Sequence, residues 1–133
     1  MAYAVGFALA CTISVLARFG GLDRDRAFYP TVLIVVATYY VLFAAMAESV
    51  PVVVIESVLM MGFLVAAVVG FKQSVWIVVF GLAAHGVFDA LHGRILDNPG
   101  VPVWWPAFCL AYDVGAAGCL AWFSTRRGGG SRA

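Results

Sequence analysis

The chain has 133 residues, of which 64% are hydrophobic and 11% charged, and it carries a formal net charge of +1. Its mean hydropathy of +1.00 sets it apart from a soluble domain, which is about half apolar and about a quarter charged, so the expected setting is a lipid bilayer. The near-zero charge leaves no basic face to neutralise a run of phosphates, which excludes a nucleic-acid partner, and the length allows a single domain.

A membrane helix takes about 17 to 25 mainly apolar residues, and five stretches meet that requirement. The first, 2–17, is the shortest. It lacks a positive start and its first arginine, Arg18, follows the apolar run, so it reads as a retained helix rather than a cleaved signal. The break after it alternates Asp23 and Asp25 with Arg24 and Arg26, a solvated turn. The second stretch, 30–47, and the third, 51–71, begin with Pro30 and Pro51, which suit a first helical turn where the missing N–H costs nothing, and Ser49 stands as a cap or turn residue. The fourth covers 75–92. The fifth, 103–123, follows Asn98-Pro99-Gly100, a strong turn signal. The expected organisation is therefore an all-α bundle of five transmembrane helices over 1–125 with a disordered basic tail over 126–133.

Five spans place Arg18, Arg24, Arg26, Lys72, Arg126, Arg127 and Arg132 on one side and Arg94 alone on the other. By the positive-inside tendency the N-terminus faces outside and the C-terminus the cytoplasm. Trp104 and Trp105 then fall near the outer interface and Trp76 and Trp122 near the inner one. The three cysteines, Cys11, Cys109 and Cys119, are odd in number, widely spaced and embedded in apolar runs, which disfavours a disulfide framework.

On this topology the acids gather outside. Glu48 ends the second helix, Glu56 lies about one turn into the third, and His85, Asp89 and His92, which include both histidines of the chain, climb the outer half of the fourth. Asp97 is in the outer loop, and Asp113 lies near the middle of the fifth helix. At about 100° per residue His85, Asp89 and His92 fall within roughly 60° of one another. Ionisable groups at bilayer depth are costly and should face the bundle interior, with Glu56 and Asp113 as natural partners. Imidazoles and carboxylates suit a divalent ion such as zinc, iron or manganese. The expected ligands are His85, Asp89, His92 and Asp113, around one ion, with Glu56 as general base and Cys109 and Tyr112 lining the site. Glu48 and Asp97 read as interfacial, and Tyr39 and Tyr40 as packing residues with satisfied hydroxyls. Haem is not expected, because both histidines sit on one helix, nor a nucleotide, because there is no glycine-rich phosphate loop.

The residues His85, Gly86, Asp89, His92, Pro102, Trp104, Trp105, Phe108, Cys109 and Asp113 make a pattern of His-Gly, Asp, His, Pro-x-Trp-Trp, Phe-Cys and Asp. In it, residues 84–113 resemble a family of small bacterial integral membrane proteins of unknown function. The resemblance implies that these residues belong together, and it brings no activity or cofactor. Many members of that family carry a further histidine where this chain has Gly93.

The leading functional expectation is a metal-binding membrane protein with an outward-opening polar site, acting as a small metal-dependent enzyme on a lipid-soluble substrate. Two other readings stay open. The same groups could conduct protons or metal ions, or they could be interhelical glue in a metal-free subunit of a larger membrane complex or homo-oligomer.

Overall fold

The computed structural model describes residues 1–129, which form α1 (Ala2–Gly20), α2 (Phe28–Met46), α3 (Val50–Lys72), α4 (Val75–Ile95) and α5 (Trp105–Gly129). All five are long and apolar enough to cross a membrane, and no strand occurs among the described residues. The expected all-α, five-helix arrangement is thus the one observed. Of the expected tail, α5 takes in the first residues, and residues 130–133 lie outside the described part.

The helix ends have local causes. Pro30 and Pro51 both occupy first turns, and the Ser74 hydroxyl caps α4 by accepting a hydrogen bond from the Trp76 N–H at 3.4 Å. Beyond 123, α5 runs on to Gly129, with the Ser124 and Thr125 hydroxyls donating to the carbonyls of Leu120 and Trp122 at 2.7 and 2.9 Å and the Arg126 guanidinium 4.2 Å over the Trp122 ring.

Short connections make the helices alternate in direction. The bundle packs α2 on α3, α3 on α4 and α4 on α5, with α2 also touching α4, while α1 packs substantially against α5 alone among the described residues. The α1–α5 seam is parallel and built from small residues. Gly6 lies so close to the Phe108 carbonyl that no side chain fits between them, and a Cβ on Gly115 would meet that of Ala10 at 3.0 Å.

The two ends differ in chemistry. One end carries the α1–α2 and α3–α4 connections with Arg18, Arg24, Arg26 and Lys72. Asp23, expected in a solvated turn, is instead buried there and pairs with Arg18 at 3.3 Å. The opposite end carries the α2–α3 and α4–α5 connections, and the polar core lies beneath it. Between Ile95 and Trp105 the chain folds back over this end: the Asn98 side chain accepts a hydrogen bond from the Gly100 N–H at 3.2 Å, and Gly100 presses on the Phe43 carbonyl with no room for a Cβ. Gly100→Ala is therefore expected to lower stability by about 1 to 3 kcal/mol, read from unfolding in increasing SDS. Gly93→Ala, at a position facing open space, is the control that should change little.

Candidate metal centre

Two turns of α4 and one residue from each neighbouring helix make the polar core. His85, Asp89 and His92 line one face of α4, as their spacing requires, and all three are buried together with Glu56 of α3 and Asp113 of α5, none more than 2% exposed. Their partners divide them into two groups.

In the deeper group the His85 Nδ1–H donates to Asp113 Oδ2 at 2.6 Å, and Asp89 Oδ2 lies 3.4 Å from the same nitrogen. His85, Asp89 and Asp113 each offer a ligand atom, and these atoms all lie within 4.8 Å of one another, close enough to hold a metal ion. Three polar atoms here, His85 Nε2, Asp89 Oδ2 and Asp113 Oδ1, are buried without a hydrogen-bond partner. Such orphans are uncommon in folded proteins and call for a cause.

The shallower group is a second pair. The His92 Nε2–H donates to Glu56 Oε1 at 2.7 Å, and the same oxygen accepts from Asn98 Nδ2 at 2.9 Å. His92, expected among the metal ligands, thus lies outside the deeper group. The reason is depth: seven residues of helix separate it from His85 by about 10.5 Å along the axis, too far for one ion. Glu56 likewise faces His92 rather than the His85 group.

Tyr40 joins the two. Its hydroxyl donates to Asp89 Oδ1 at 2.7 Å, its ring stacks on His92 with centroids 4.0 Å apart, and its backbone carbonyl accepts from Asn98 Nδ2 at 3.0 Å. The hydroxyl is satisfied, as expected of a packing residue, but what satisfies it is a site carboxylate. Asn98 belongs to the site as well. Its turn signal is plain in the sequence, whereas its side-chain role depends on the loop folding inward and leaves no local mark.

Cys109 is fully buried within electrostatic reach of Asp89 and Asp113, and Tyr112 is half-buried within reach of Asp113, so both flank the deeper group. Glu48 and Asp97 are exposed, in keeping with interfacial positions. The expected opening toward the outer end is closed in this structure, because the α4–α5 connection lies across it and inserts Asn98.

Three carboxylates meet two imidazoles in this core, and no lysine or arginine is among the described buried residues. Even with both imidazoles protonated, one negative charge is left in a region of low dielectric, where an uncompensated ion costs several kcal/mol. A further cation, proton or metal, would settle that imbalance, and the deeper group, whose ligand atoms lie within 4.8 Å of one another, is where there is room among donors to hold it. Comparison of the chain with protein-family models, curated proteins and solved structures finds no match.

Proposed function

We propose that this chain is a multi-pass protein of the bacterial plasma membrane that holds one divalent ion at His85, Asp89 and Asp113 and acts as a small metal-dependent enzyme on a lipid-soluble substrate. The observation carrying the reading is the deeper group itself: three convergent donors, each with an orphaned atom, in a core with one carboxylate too many. One imidazole and two carboxylates favour zinc, iron or manganese over softer ions.

The membrane setting is supported by the outer faces of the helices. Val54, Val58, Met61 and Val65 of α3 are more than half exposed, a surface that water would not tolerate and hydrocarbon would. The concentration of Arg18, Arg24, Arg26, Lys72 and Arg126 at one end supports a cytoplasmic C-terminus.

A divalent ion in this position supplies a Lewis acid for a substrate oxygen. The chain's own residues do the rest. Tyr40 fixes the rotamer of Asp89 through its hydroxyl, and the Glu56 carboxylate orients His92 by accepting from its ring N–H. Water is kept out by the folded α4–α5 connection, which suits a substrate already dissolved in the bilayer. Leu33, Val78, Leu82 and Leu120 fill the described core between Asp113 and the basic end, an apolar plug that favours an enzyme over a conducting path.

Elemental analysis of untagged, detergent-purified protein tests this. Wild type is expected to carry close to one equivalent of metal, His85→Ala and Asp113→Ala to lose it, and His92→Ala to keep it. A wild-type protein purified without chelators and free of metal would overturn the proposal.

A further inference from the structure

We infer that the α4–α5 connection, residues 96–104, is a gate over the polar core, that Asn98 is its latch, and that the divalent ion enters the His85 group through it from the polar end. This rests on the reading of the His85 group as a metal centre.

The route follows from where the polar side chains run. Leu33, Val78, Leu82 and Leu120 are buried between Asp113 and the basic end, and the bundle faces outward with apolar side chains such as Val54, Val58 and Val65. A cation crossing either region would shed its water and meet no ligand, which makes both paths prohibitive. Toward the other end, polar side chains follow one another without a break. Asp113 meets His85 at 2.6 Å, and Asp89 lies 3.4 Å from the same nitrogen and accepts from the Tyr40 hydroxyl at 2.7 Å. The Tyr40 ring stacks on His92, which meets Glu56 at 2.7 Å. Glu56 ends that run, in contact with Asn98.

The connection is built to swing as one piece. Its turn closes on itself: the Gly100 N–H donates to Asn98 Oδ1 at 3.2 Å, and the Val101 N–H to the Asn98 carbonyl at 3.1 Å. Among the described residues of the connection only Asn98 is buried, while Val103 and Trp104 are 99% and 55% exposed. Among the described residues, the hydrogen bonds that tie this turn to the bundle both leave from one group, Asn98 Nδ2, which donates to Glu56 Oε1 at 2.9 Å and to the Tyr40 carbonyl at 3.0 Å. Gly100 adds a close backbone contact with Phe43. Withdrawal of one amide therefore breaks both bonds together, and the same step uncovers the Glu56 carboxylate. An incoming cation meets that carboxylate as the gate opens, with His92 beside it, and the return of Asn98 shuts water out again.

The test is the rate at which metal-free, full-length protein in phosphatidylcholine nanodiscs takes up cobalt(II), followed by the visible absorption of the bound ion. Asn98→Ala removes both latch bonds, each worth a factor of about three to ten, and should load about ten- to a hundredfold faster than wild type, to the same final absorption. Glu56→Gln keeps an acceptor for Asn98 but not the charge that draws the ion in, and should load about tenfold more slowly. Gly70→Ala, whose added methyl would crowd the Val78 side chain at the basic end, loosens the bundle away from the gate and should load as wild type does. Equal rates in wild type, Asn98→Ala and Glu56→Gln would put the entry elsewhere, and a Gly70→Ala protein that loads as fast as Asn98→Ala would mean general loosening. Either result overturns the gate and leaves the metal centre standing. Absence of a cobalt band from wild type and every variant overturns the metal centre, and the gate with it.

Discussion

Stripping the metal from the wild-type protein is expected to reduce its resistance to SDS unfolding by about 3 to 5 kcal/mol, the cost of leaving a buried charge without its partner. In the deeper group Asp89 and Asp113 both face a single imidazole nitrogen, and the proposed ion would balance them. Binding alone would contribute about 2.7 kcal/mol at a hundredfold excess over the dissociation constant. Asp113→Asn makes the opposite case. It removes a ligand and a charge together, so this variant should bind no metal, be indifferent to chelator, and be more stable than chelated wild type. Unfolding curves of both proteins with and without chelator give the four values needed. Identical wild-type curves would show that the two acids are balanced by a shared proton and that no ion is held.

The second large effect is expected at Glu56. Its Oε1 is acceptor to both His92 and Asn98, so Glu56→Leu leaves a buried imidazole and a buried amide without their partner and frees the loop that closes the polar end. A loss of about 3 to 5 kcal/mol follows for the ion pair, with a further 1 to 3 kcal/mol or so for the amide. Glu56→Gln keeps an oxygen acceptor in place for His92 and Asn98 and should lose much less stability. Comparing the two by unfolding, and by proteolysis between α4 and α5, distinguishes the loss of a charge from the loss of a latch. Equal losses in the two variants would mean that the hydrogen bonds to Glu56 add nothing beyond its charge.

The helices are legible because bilayer thickness forces long apolar runs, so hydropathy alone places each within a few residues. The end that differs most is that of α5, which runs past Phe123 through residues too polar for hydropathy to count. The face shared by His85, Asp89 and His92 is equally legible, since it follows from helical periodicity. Depth was the quantity that periodicity hid: one face runs the whole length of a helix, and residues on it can belong to different sites. Asp113 meets His85 and Glu56 meets His92 because each lies at the matching height on its own helix. Tyr40 and Asn98 were harder still. A tyrosine in an apolar run and an asparagine in a turn have ordinary explanations, and only the fold brings both to the carboxylates.

The pairing of the first helix with the last has a consequence for biosynthesis. In the proposed membrane setting α1 would be inserted while the ribosome is still making the middle of the chain, and its seam of Gly6, Ala10 and Ser14 would have nothing to close against. Only when α5 emerges does α1 gain its neighbour, and the same arrival carries Asp113 to His85. Retention of α1 in the bundle and completion of the buried acidic group are thus one late event. A chain stalled before Trp105 would leave an unescorted first helix and half of the polar core, a form recognisable to membrane quality control by both defects at once.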